Sequence, residues 1–280
     1  MSDSRILSTP SATMRPRLDG RVALVTGGGT GIGRAAALAF ARDGARVVVA
    51  GRRAAPLDET VRAIVERGGE AFAVTVDVGS ADGVRALVDT TIGRYGALHA
   101  AFNNAGTEGT FAPIVEQTEA DFDHVIATNL KGTWLSIKYE MEAMLAHGDG
   151  AIVNTSSWLA KGALAGSSTY SASKGALDAL VRAVALEGGP HGIRINNVNP
   201  GIIDTPMARR FGDDEMFRPF AAFTPARRIG TPEDVADAVV WLCSDEARFV
   251  TGESILVDGG YTIGGMRRPA PQRRSNRWST

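Results

Sequence analysis

The chain has 280 residues, 44% of them hydrophobic, and its formal net charge at pH 7 is −1. This length and apolar fraction allow a substantial core. A near-neutral charge gives no electrostatic reason to expect nucleic acid or an anionic membrane as the main partner.

The two ends of the chain lack the periodic patterns of packed elements. Residues 1–19 are polar and aperiodic, and residues 266–280 hold five arginines and no acid. We therefore expect a flexible N-terminal arm at 1–19, one folded domain at 20–265 and a disordered basic tail at 266–280. Such a tail could contact an acidic partner, but a solvated tail is favoured and we expect no nucleic-acid partner.

No stretch of the sequence is typical of a secretion signal or of a membrane span. The first 20 residues have no apolar segment of the signal-peptide kind, and no run of about 18 apolar residues occurs. Cys243 is the only cysteine, which fits a reducing compartment. The four histidines have no metal-ligand spacing. We expect a soluble cytoplasmic protein with no membrane partner and no metal site.

Strand-like apolar runs alternate with helical segments along the presumed domain. Because these runs are too apolar for a strand with one solvated side, they predict a parallel sheet covered by helices on both faces. Right-handed crossovers then favour an α/β fold, a Rossmann-type doubly wound parallel sheet of about seven strands in a single domain. The runs are RVALVTGG, ARVVVAG, EAFAVTVDV, ALHAAFNNAG, GAIVNTSS, IRINNVNPG and ESILVDGG.

A glycine-rich turn follows the first strand and leads directly into a helix. Helix N-termini present unpaired amides to anions, and glycines let the backbone approach a pyrophosphate closely. The spacing T-G-x-x-x-G-x-G differs from the common G-x-G-x-x-G, and no Gly-Lys-Ser/Thr follows as in a P-loop. The turn predicts a site for nucleotide phosphates at Gly27, Thr30, Gly31, Ile32 and Gly33.

The end of the second strand indicates which nucleotide binds. An acid usually stands there when the ribose 2′-hydroxyl is free, but here Gly51 is followed by Arg52 and Arg53. The planar guanidinium suits a phosphate dianion. This favours NADP(H). NAD(H) stays possible, since both arginines could be solvated loop residues.

Tyr170 and Lys174 are four residues apart in a stretch of small residues, STYSASKGAL. On a helix this spacing places both on one face. Hydride transfer between a nicotinamide and a carbonyl also moves a proton, and a free phenol with a pKa of about 10 shares its proton poorly near neutrality. A nearby ammonium should lower that pKa. We therefore predict a proton-transfer pair rather than a half-buried tyrosine beside a surface lysine.

The order and spacing of the motifs carry a family resemblance over nearly the whole chain outside its two ends. The set resembles the short-chain dehydrogenase/reductase family. The residues that carry it are TGGGTGIG at 26–33, Asp77 in TVDV, NNAG at 103–106, Asn129 in TNLKG, Ser157 in IVNTSS, Tyr170 and Lys174 in YSASK, and Pro200-Gly201 followed by Thr205.

The resemblance implies catalytic roles for four residues. Tyr170 would be the general acid/base, and Lys174 would assist it and bind the nicotinamide ribose. Ser157 would donate a hydrogen bond to the substrate oxygen. Asn129 would hold a water in a proton relay with the lysine, although a helical asparagine can simply bond to backbone groups.

The resemblance also implies further cofactor contacts. Thr30 departs from the family's NADP(H)-preferring members, which often carry a basic residue there, so the NADP(H) preference rests on Arg52 and Arg53. The remaining matched positions are Asp77 and Val78 at the adenine, Asn104 beside the adenosine ribose, and Ile203 and Thr205 at the carboxamide.

These patterns predict an oxidoreductase that transfers a hydride between NADP(H) and a carbonyl or secondary alcohol, reducing an apolar ketone or a 3-oxoacyl group. The apolar preference comes from residues 207–228, where the family has a mobile lid and this chain has four phenylalanines and two methionines. The alternatives are an NAD(H)-dependent secondary-alcohol dehydrogenase and a non-catalytic dinucleotide sensor. The long amphipathic segment 121–145 matches the family's subunit interface, so a homotetramer or homodimer is expected.

Overall fold

The computed structural model describes residues 16–264. The predicted tail at 266–280 and most of the predicted N-terminal arm lie outside the described residues. The packed chain begins earlier than residue 20, because Leu18 is only 2% exposed and its amide donates to the carbonyl oxygen of Asp43. Arg17 adds an ion pair to the Asp43 carboxylate, with 2.7 Å between Nε and Oδ1.

One parallel sheet forms the centre of the described chain. Its strand order is β3-β2-β1-β4-β5-β6-β7, so the direction in which successive strands are added to the sheet reverses between β1 and β4. In a doubly wound sheet this switch point opens a crevice at the carboxyl ends of the strands. The strands are β1 Val22–Thr26, β2 Arg46–Gly51, β3 Ala71–Thr75, β4 Ala100–Asn103, β5 Gly150–Thr155, β6 Ile193–Pro200 and β7 Ser254–Val257.

Helices cover both faces of the sheet, as the apolar strands predict. Helices α1, α2 and α8 share a buried apolar cluster with one face, and α3, α5 and α6 share another with the opposite face. This arrangement confirms the predicted doubly wound fold. The helices are α1 Gly31–Arg42, α2 Ala54–Val65, α3 Ala81–Tyr95, α4 Glu119–Ile126, α5 Gly132–Leu145, α6 Ser168–Gly188, α7 Asp214–Phe223 and α8 Pro232–Cys243.

The strands alternate their side chains between the two clusters. In β1, Ala23 and Val25 pack toward α1 and α8, whereas Val22 and Leu24 pack on the opposite face. Every residue of β1 is buried. A strand with two covered faces has no need of polar alternation, which explains why the sequence reads as a continuous apolar run.

A row of buried amides interrupts this apolar interior at the carboxyl ends of the central strands. Asn103, Asn154 and Asn197 lie side by side on adjacent strands. Asn103 Nδ2 donates to Asn154 Oδ1 at 3.1 Å, and Asn154 Nδ2 donates to Asn197 Oδ1 at 3.0 Å. The row joins β4, β5 and β6 through their side chains as well as through their backbones.

Glu140 of α5 extends this row into the helix layer. Asn103 Nδ2 donates to Glu140 Oε2 at 2.8 Å, and the glutamate side chain is buried. Burial raises the pKa of Glu140 to about 8. Among the described residues, Glu140 Oε1 and Asn103 Oδ1 have no hydrogen-bond partner. Burial with a single hydrogen bond therefore favours the protonated, neutral carboxyl.

Within residues 16–264, no helix is long and apolar enough to cross a membrane. No group of three or more His, Cys, Asp or Glu side chains in the same range could hold a metal ion.

Candidate active site

The predicted site residues converge on one cavity of about 780 Å³ at the carboxyl ends of the strands. Two of them, Gly33 and Asn129, lie next to the cavity but do not line it. A Cβ on Gly33 would meet Gly27, and the Asn129 side chain is hydrogen-bonded to Thr107. The predicted residues that line the cavity are Gly27, Thr30, Gly31, Ile32, Arg52, Arg53, Asp77, Val78, Asn104, Ser157, Tyr170, Lys174, Ile203 and Thr205.

The turn between β1 and α1 fits a pyrophosphate. Gly27 and Gly31 have φ of 66° and 52°, a left-handed backbone that favours glycine. A Cβ on Gly33 would collide with the carbonyl oxygen of Gly27. Thr30 caps α1 without a side-chain hydrogen bond, and the first turn of the helix contains no acid. The first amides of α1 are therefore available to an anion.

Arg52 and Arg53 line the end of the cavity beside β2, and both are exposed. Within residues 16–264, neither guanidinium forms an ion pair. Asp77, after β3, accepts a hydrogen bond from the Gly79 amide at 2.9 Å, and Val78 is buried. At this end of the cavity, the two unpaired guanidinium groups after β2 therefore lie beside the turn that follows β3.

Asn104 ties the ends of three strands together beneath the cavity. Its Nδ2 donates to the Gly27 carbonyl at 3.4 Å, and its Oδ1 accepts from Thr155 Oγ1 at 3.2 Å. The backbone amide of Asn104 donates to Thr26 Oγ1 at 3.1 Å. These bonds hold the residues after β1, β4 and β5 in a fixed relation.

The predicted catalytic side chains meet at the end of β5. Tyr170 and Lys174 lie one turn apart on α6, with 5.8 Å between Lys174 Nζ and the centre of the tyrosine ring. Lys174 Nζ donates to the Thr155 carbonyl oxygen at 2.6 Å. Ser157 is 5% exposed, and its hydroxyl lies near enough to that of Tyr170 to lower the pKa of the phenol. The sequence spacing therefore does bring Ser157, Tyr170 and Lys174 together.

The acidity of the pair differs from the expectation. Burial raises the pKa of Tyr170 to about 12; the Ser157 hydrogen bond lowers it and the Glu108 charge raises it further. Burial alone lowers the pKa of Lys174 to about 8. The Tyr170 pKa is therefore raised rather than lowered as expected, because desolvation dominates, and the Lys174 ammonium donates to the Thr155 carbonyl instead. The phenol keeps its proton at neutral pH.

Asn129 occupies a π-helical turn, Ala127–Lys131, that joins α4 to α5. Its Nδ2 donates to the Thr107 carbonyl at 2.9 Å and to Ser173 Oγ at 3.1 Å, and its Oδ1 accepts from the Thr107 amide at 2.8 Å. The side chain therefore bridges the loop after β4 to α6. π-Helical turns often occur at functional sites, where they redirect side chains.

Aromatic and apolar side chains line the other end of the cavity. The Phe111 ring centre lies 6.1 Å from that of Tyr170 and 5.0 Å from that of Phe211. Residues between 207 and 220 line this end, and α7 brings Phe217 and Phe220 to the wall. The predicted lid segment thus contributes the apolar lining that the sequence indicates.

An ion pair that sequence reasoning missed links this cover to the loop after β4. Arg210 Nε lies 3.0 Å from Glu108 Oε1, and Arg210 Nη2 donates to Glu108 Oε2 at 3.1 Å. Both residues line the cavity. The available signal was an acid in a glycine-rich loop directly after a strand end, followed far along the chain by paired arginines in the lid.

Comparison with known proteins adds to this geometry. A protein-family model described as enoyl-(acyl carrier protein) reductase matches residues 27–262. The chain belongs to the short-chain dehydrogenase/reductase family. This short-chain dehydrogenase/reductase is 40% identical over 249 residues to cyclohexanol dehydrogenase of Acinetobacter sp. (strain SE19), covering 89% of this chain and 98% of the relative.

Two further proteins are similar over most of this chain and most of their own length. Cis-4-hydroxycyclohexanecarboxylate dehydrogenase of Sinomonas cyclohexanicum is 41% identical over 242 residues, which are 86% of this chain and 96% of the relative. The crystal structure of levodione reductase matches with a TM-score of 0.85 at 33% identity, covering 89% of this chain and 100% of that one. The short-chain dehydrogenase/reductase resemblance is thereby confirmed.

Membership in the family establishes the reaction class. The protein is a nicotinamide-dinucleotide-dependent oxidoreductase of the class that acts on the CH–OH group of donors. The prediction of an enzyme is confirmed at this level. The glycine turn and the unpaired amides of α1 fit such a cofactor.

Proposed function

We propose that the protein interconverts an apolar, ring-containing ketone and its secondary alcohol with NADP(H), and that Tyr170 is the general acid/base. The observation that carries the proposal is the meeting of Tyr170, Ser157 and Lys174 in one cavity. Aromatic side chains line one end of that cavity, and two unpaired arginines line the other.

In the reduction, Tyr170 donates its phenolic proton to the carbonyl oxygen. A nicotinamide, when bound, supplies the hydride. Ser157, whose hydroxyl lies beside that of Tyr170, donates a hydrogen bond to the same oxygen and orients the substrate. Lys174 lies close enough for its ammonium to stabilise the phenolate that remains, which favours proton release. In the oxidation these steps run in reverse.

The NADP(H) preference rests on Arg52 and Arg53. Their guanidinium groups are exposed beside the cavity and form no ion pair within the described chain, so a 2′-phosphate would be their first anionic partner. Charge-assisted hydrogen bonds are worth about 1.5–3 kcal/mol each. The double variant Arg52→Ala/Arg53→Ala should weaken NADPH binding by roughly 10²- to 10⁴-fold and leave NADH binding nearly unchanged. Arg62→Ala, on exposed α2, is the matched control.

The ring-containing substrate is proposed from the cavity and the relatives together. Phe111, Phe211 and Phe217 give flat apolar walls, which suit a compact hydrocarbon ring. Both curated relatives are named for an alcohol borne on a cyclohexane ring. A 3-oxoacyl thioester remains the competitor to test.

We further propose a homotetramer. Several large apolar side chains of α4, α5 and α6 are exposed: Phe122 at 47%, Trp134 at 46%, Leu145 at 46% and Leu186 at 81%. Several large exposed apolar side chains on the helices that the family uses for assembly support an interface there. Native mass spectrometry at micromolar concentration should give four chains, and a monomer would contradict the proposal.

The first experiment measures oxidation of NADPH and, separately, NADH with cyclohexanone, a linear ketone and a 3-oxoacyl thioester. We expect turnover with NADPH well above NADH, and with the cyclic ketone well above the thioester. Tyr170→Phe should reduce turnover by about 10²- to 10⁴-fold without loss of cofactor binding. Tyr95→Phe is the matched control, because the buried Tyr95 hydroxyl has no partner among the described residues.

Three results would count against parts of this proposal. Turnover with NADH alone would overturn the cofactor preference. A Tyr170→Phe variant with wild-type turnover would overturn the role of Tyr170. Cofactor binding without turnover of any of the three substrates would favour the sensor alternative.

A further inference from the structure

A buried carboxyl group lies directly behind the catalytic residues. Asp178 follows Lys174 by one turn on α6 and is 8% exposed. Its side chain points away from the cavity, toward the ends of β5 and β6, and it does not line the cavity wall. No step of the proposed mechanism uses it.

Three hydrogen-bond donors from two strand ends converge on Asp178. Ser156 Oγ donates to Oδ1 at 2.8 Å. Asn199 Nδ2 lies 3.2 Å from Oδ2, and Asn197 Nδ2 lies 3.3 Å from Oδ1. All three partners are themselves buried. Within the described chain, the Asp178 oxygens therefore act only as acceptors, a pattern that a carboxylate satisfies and an amide does not.

The same donors hold the peptide that carries Ser157. Asn199 Nδ2 also donates to the Ser157 carbonyl oxygen at 3.0 Å, and Ser156 Oγ also lies 3.1 Å from the Lys174 carbonyl oxygen. Residues 156 and 157 are thus fixed from both strand β6 and helix α6. Asp178 is the point at which these bonds meet.

We propose that Asp178 is a positioning residue that sets Ser157 against Tyr170, and this inference rests on the proposed function. Ser157 lies on the segment after β5, whereas Tyr170 lies on α6, so the distance between their hydroxyls depends on how the helix sits against the strand ends. Asp178 fixes that relation through Ser156 and Asn199. A misplacement of about 1 Å can cost about 100-fold in rate.

Asp178→Asn is the primary variant. Its amide keeps the shape but presents an N–H₂ group to donors, so at least one of the three bonds is lost. We expect turnover to fall by roughly 10- to 100-fold, with NADPH binding nearly unchanged. Ser156→Ala removes one bond with little volume change and should reduce turnover in the same direction by a smaller factor.

The decisive readout is the kinetic isotope effect with 4-deuterated NADPH. If the geometry of proton and hydride transfer is impaired, the chemical step becomes more rate-limiting and the isotope effect on turnover rises. A purely structural role would lower the melting temperature or the active fraction, and neither changes the isotope effect. A raised isotope effect in both Asp178→Asn and Ser156→Ala supports the proposal.

Asn196→Ser is the matched control. Asn196 is buried in β6, the strand that carries Asn197 and Asn199. Its side chain is directed away from Asp178 and bonds to the backbone of Val250 and Glu253. It should lower the melting temperature and leave the isotope effect at the wild-type value. Should Asp178→Asn not fold, Ser156→Ala decides alone.

The inference is overturned if the folded variants keep the wild-type isotope effect, whatever their turnover. Its failure is distinguishable from failure of the proposed function. Tyr170→Phe measured in parallel tests the catalytic assignment, and an inactive Tyr170→Phe beside an unaffected Asp178→Asn removes only the positioning role.

Discussion

Glu140→Gln should make the stability of the protein less dependent on pH. Glu140 is buried, and its carboxyl bonds only to Asn103 within the described chain. A glutamine has nearly the same shape and never ionises. Its amide oxygen can still accept from Asn103 Nδ2, so the hydrogen bond of this carboxyl is kept.

The size of the effect follows from the pKa of Glu140, which burial raises from 4.5 to about 8. Between these two values the folded protein binds more protons at this site than the unfolded chain does. The free energy of unfolding therefore falls as pH rises, by up to about 1.4 kcal/mol per pH unit. Across the whole window the loss approaches about 5 kcal/mol, and above about pH 8 it stops growing.

The assay is urea unfolding of wild type and variant at several pH values between about 5 and 8. The stability of the variant relative to wild type should increase steadily with pH over this window. Comparing the two proteins at each pH cancels the groups that they share, including His99, whose pKa burial lowers. Glu142→Gln, an exposed site on the same helix, controls for the removal of a charge.

A stability difference between Glu140→Gln and wild type that is the same at about pH 5.5 and about pH 8 would refute the reasoning. It would mean that the carboxyl titrates alike in the folded and unfolded states. Water entering beside Glu140 would produce that result, because the desolvation that raises its pKa would then be small.

Three further changes test other parts of the structure. Gly33→Ala places a methyl group against the glycine turn and should weaken NADPH binding at least about tenfold, as measured by cofactor fluorescence; unchanged affinity would contradict the tight turn. Glu108→Gln removes a charge that raises the pKa of Tyr170 and weakens the ion pair with Arg210. The alcohol-oxidation profile should move to lower pH and KM for the ketone should rise, whereas an unmoved profile would show that the charge does not reach the phenol. Thr118→Ala breaks the capping box of α4 and should cost about 1 kcal/mol in urea unfolding with no change in turnover.

The fold could be predicted because its determinants are local. Strands covered on both faces read as apolar runs, and the glycine turn and the Tyr170–Lys174 spacing each lie within a few residues of sequence. The packing of Leu18 onto the core could not be predicted in the same way, because this leucine lies in a segment that is otherwise polar.

The features that the sequence did not reveal depend on residues far apart in the chain. The pKa of Tyr170 is governed by burial, which only the assembled cavity determines. Glu108 and Arg210 are separated by 102 positions, so the acid after β4 and the arginines of the lid indicate candidate partners but not which of them pair. The bridge from Asn129 to Thr107 depends on the π-helical turn. The sequence of that turn, Ala127–Lys131, does not distinguish it from an α-helix.

The amide row of Asn103, Asn154 and Asn197 also has a consequence for how the strands align during folding. A slip of one residue would turn apolar side chains to the wrong face, but a slip of two keeps every face correct. After such a slip, Asn103 would stand opposite Ile152 instead of Asn154. Each buried amide left unpaired costs about 1–3 kcal/mol. The row therefore favours the native strand register over a slip of two residues, which hydrophobic burial alone would tolerate.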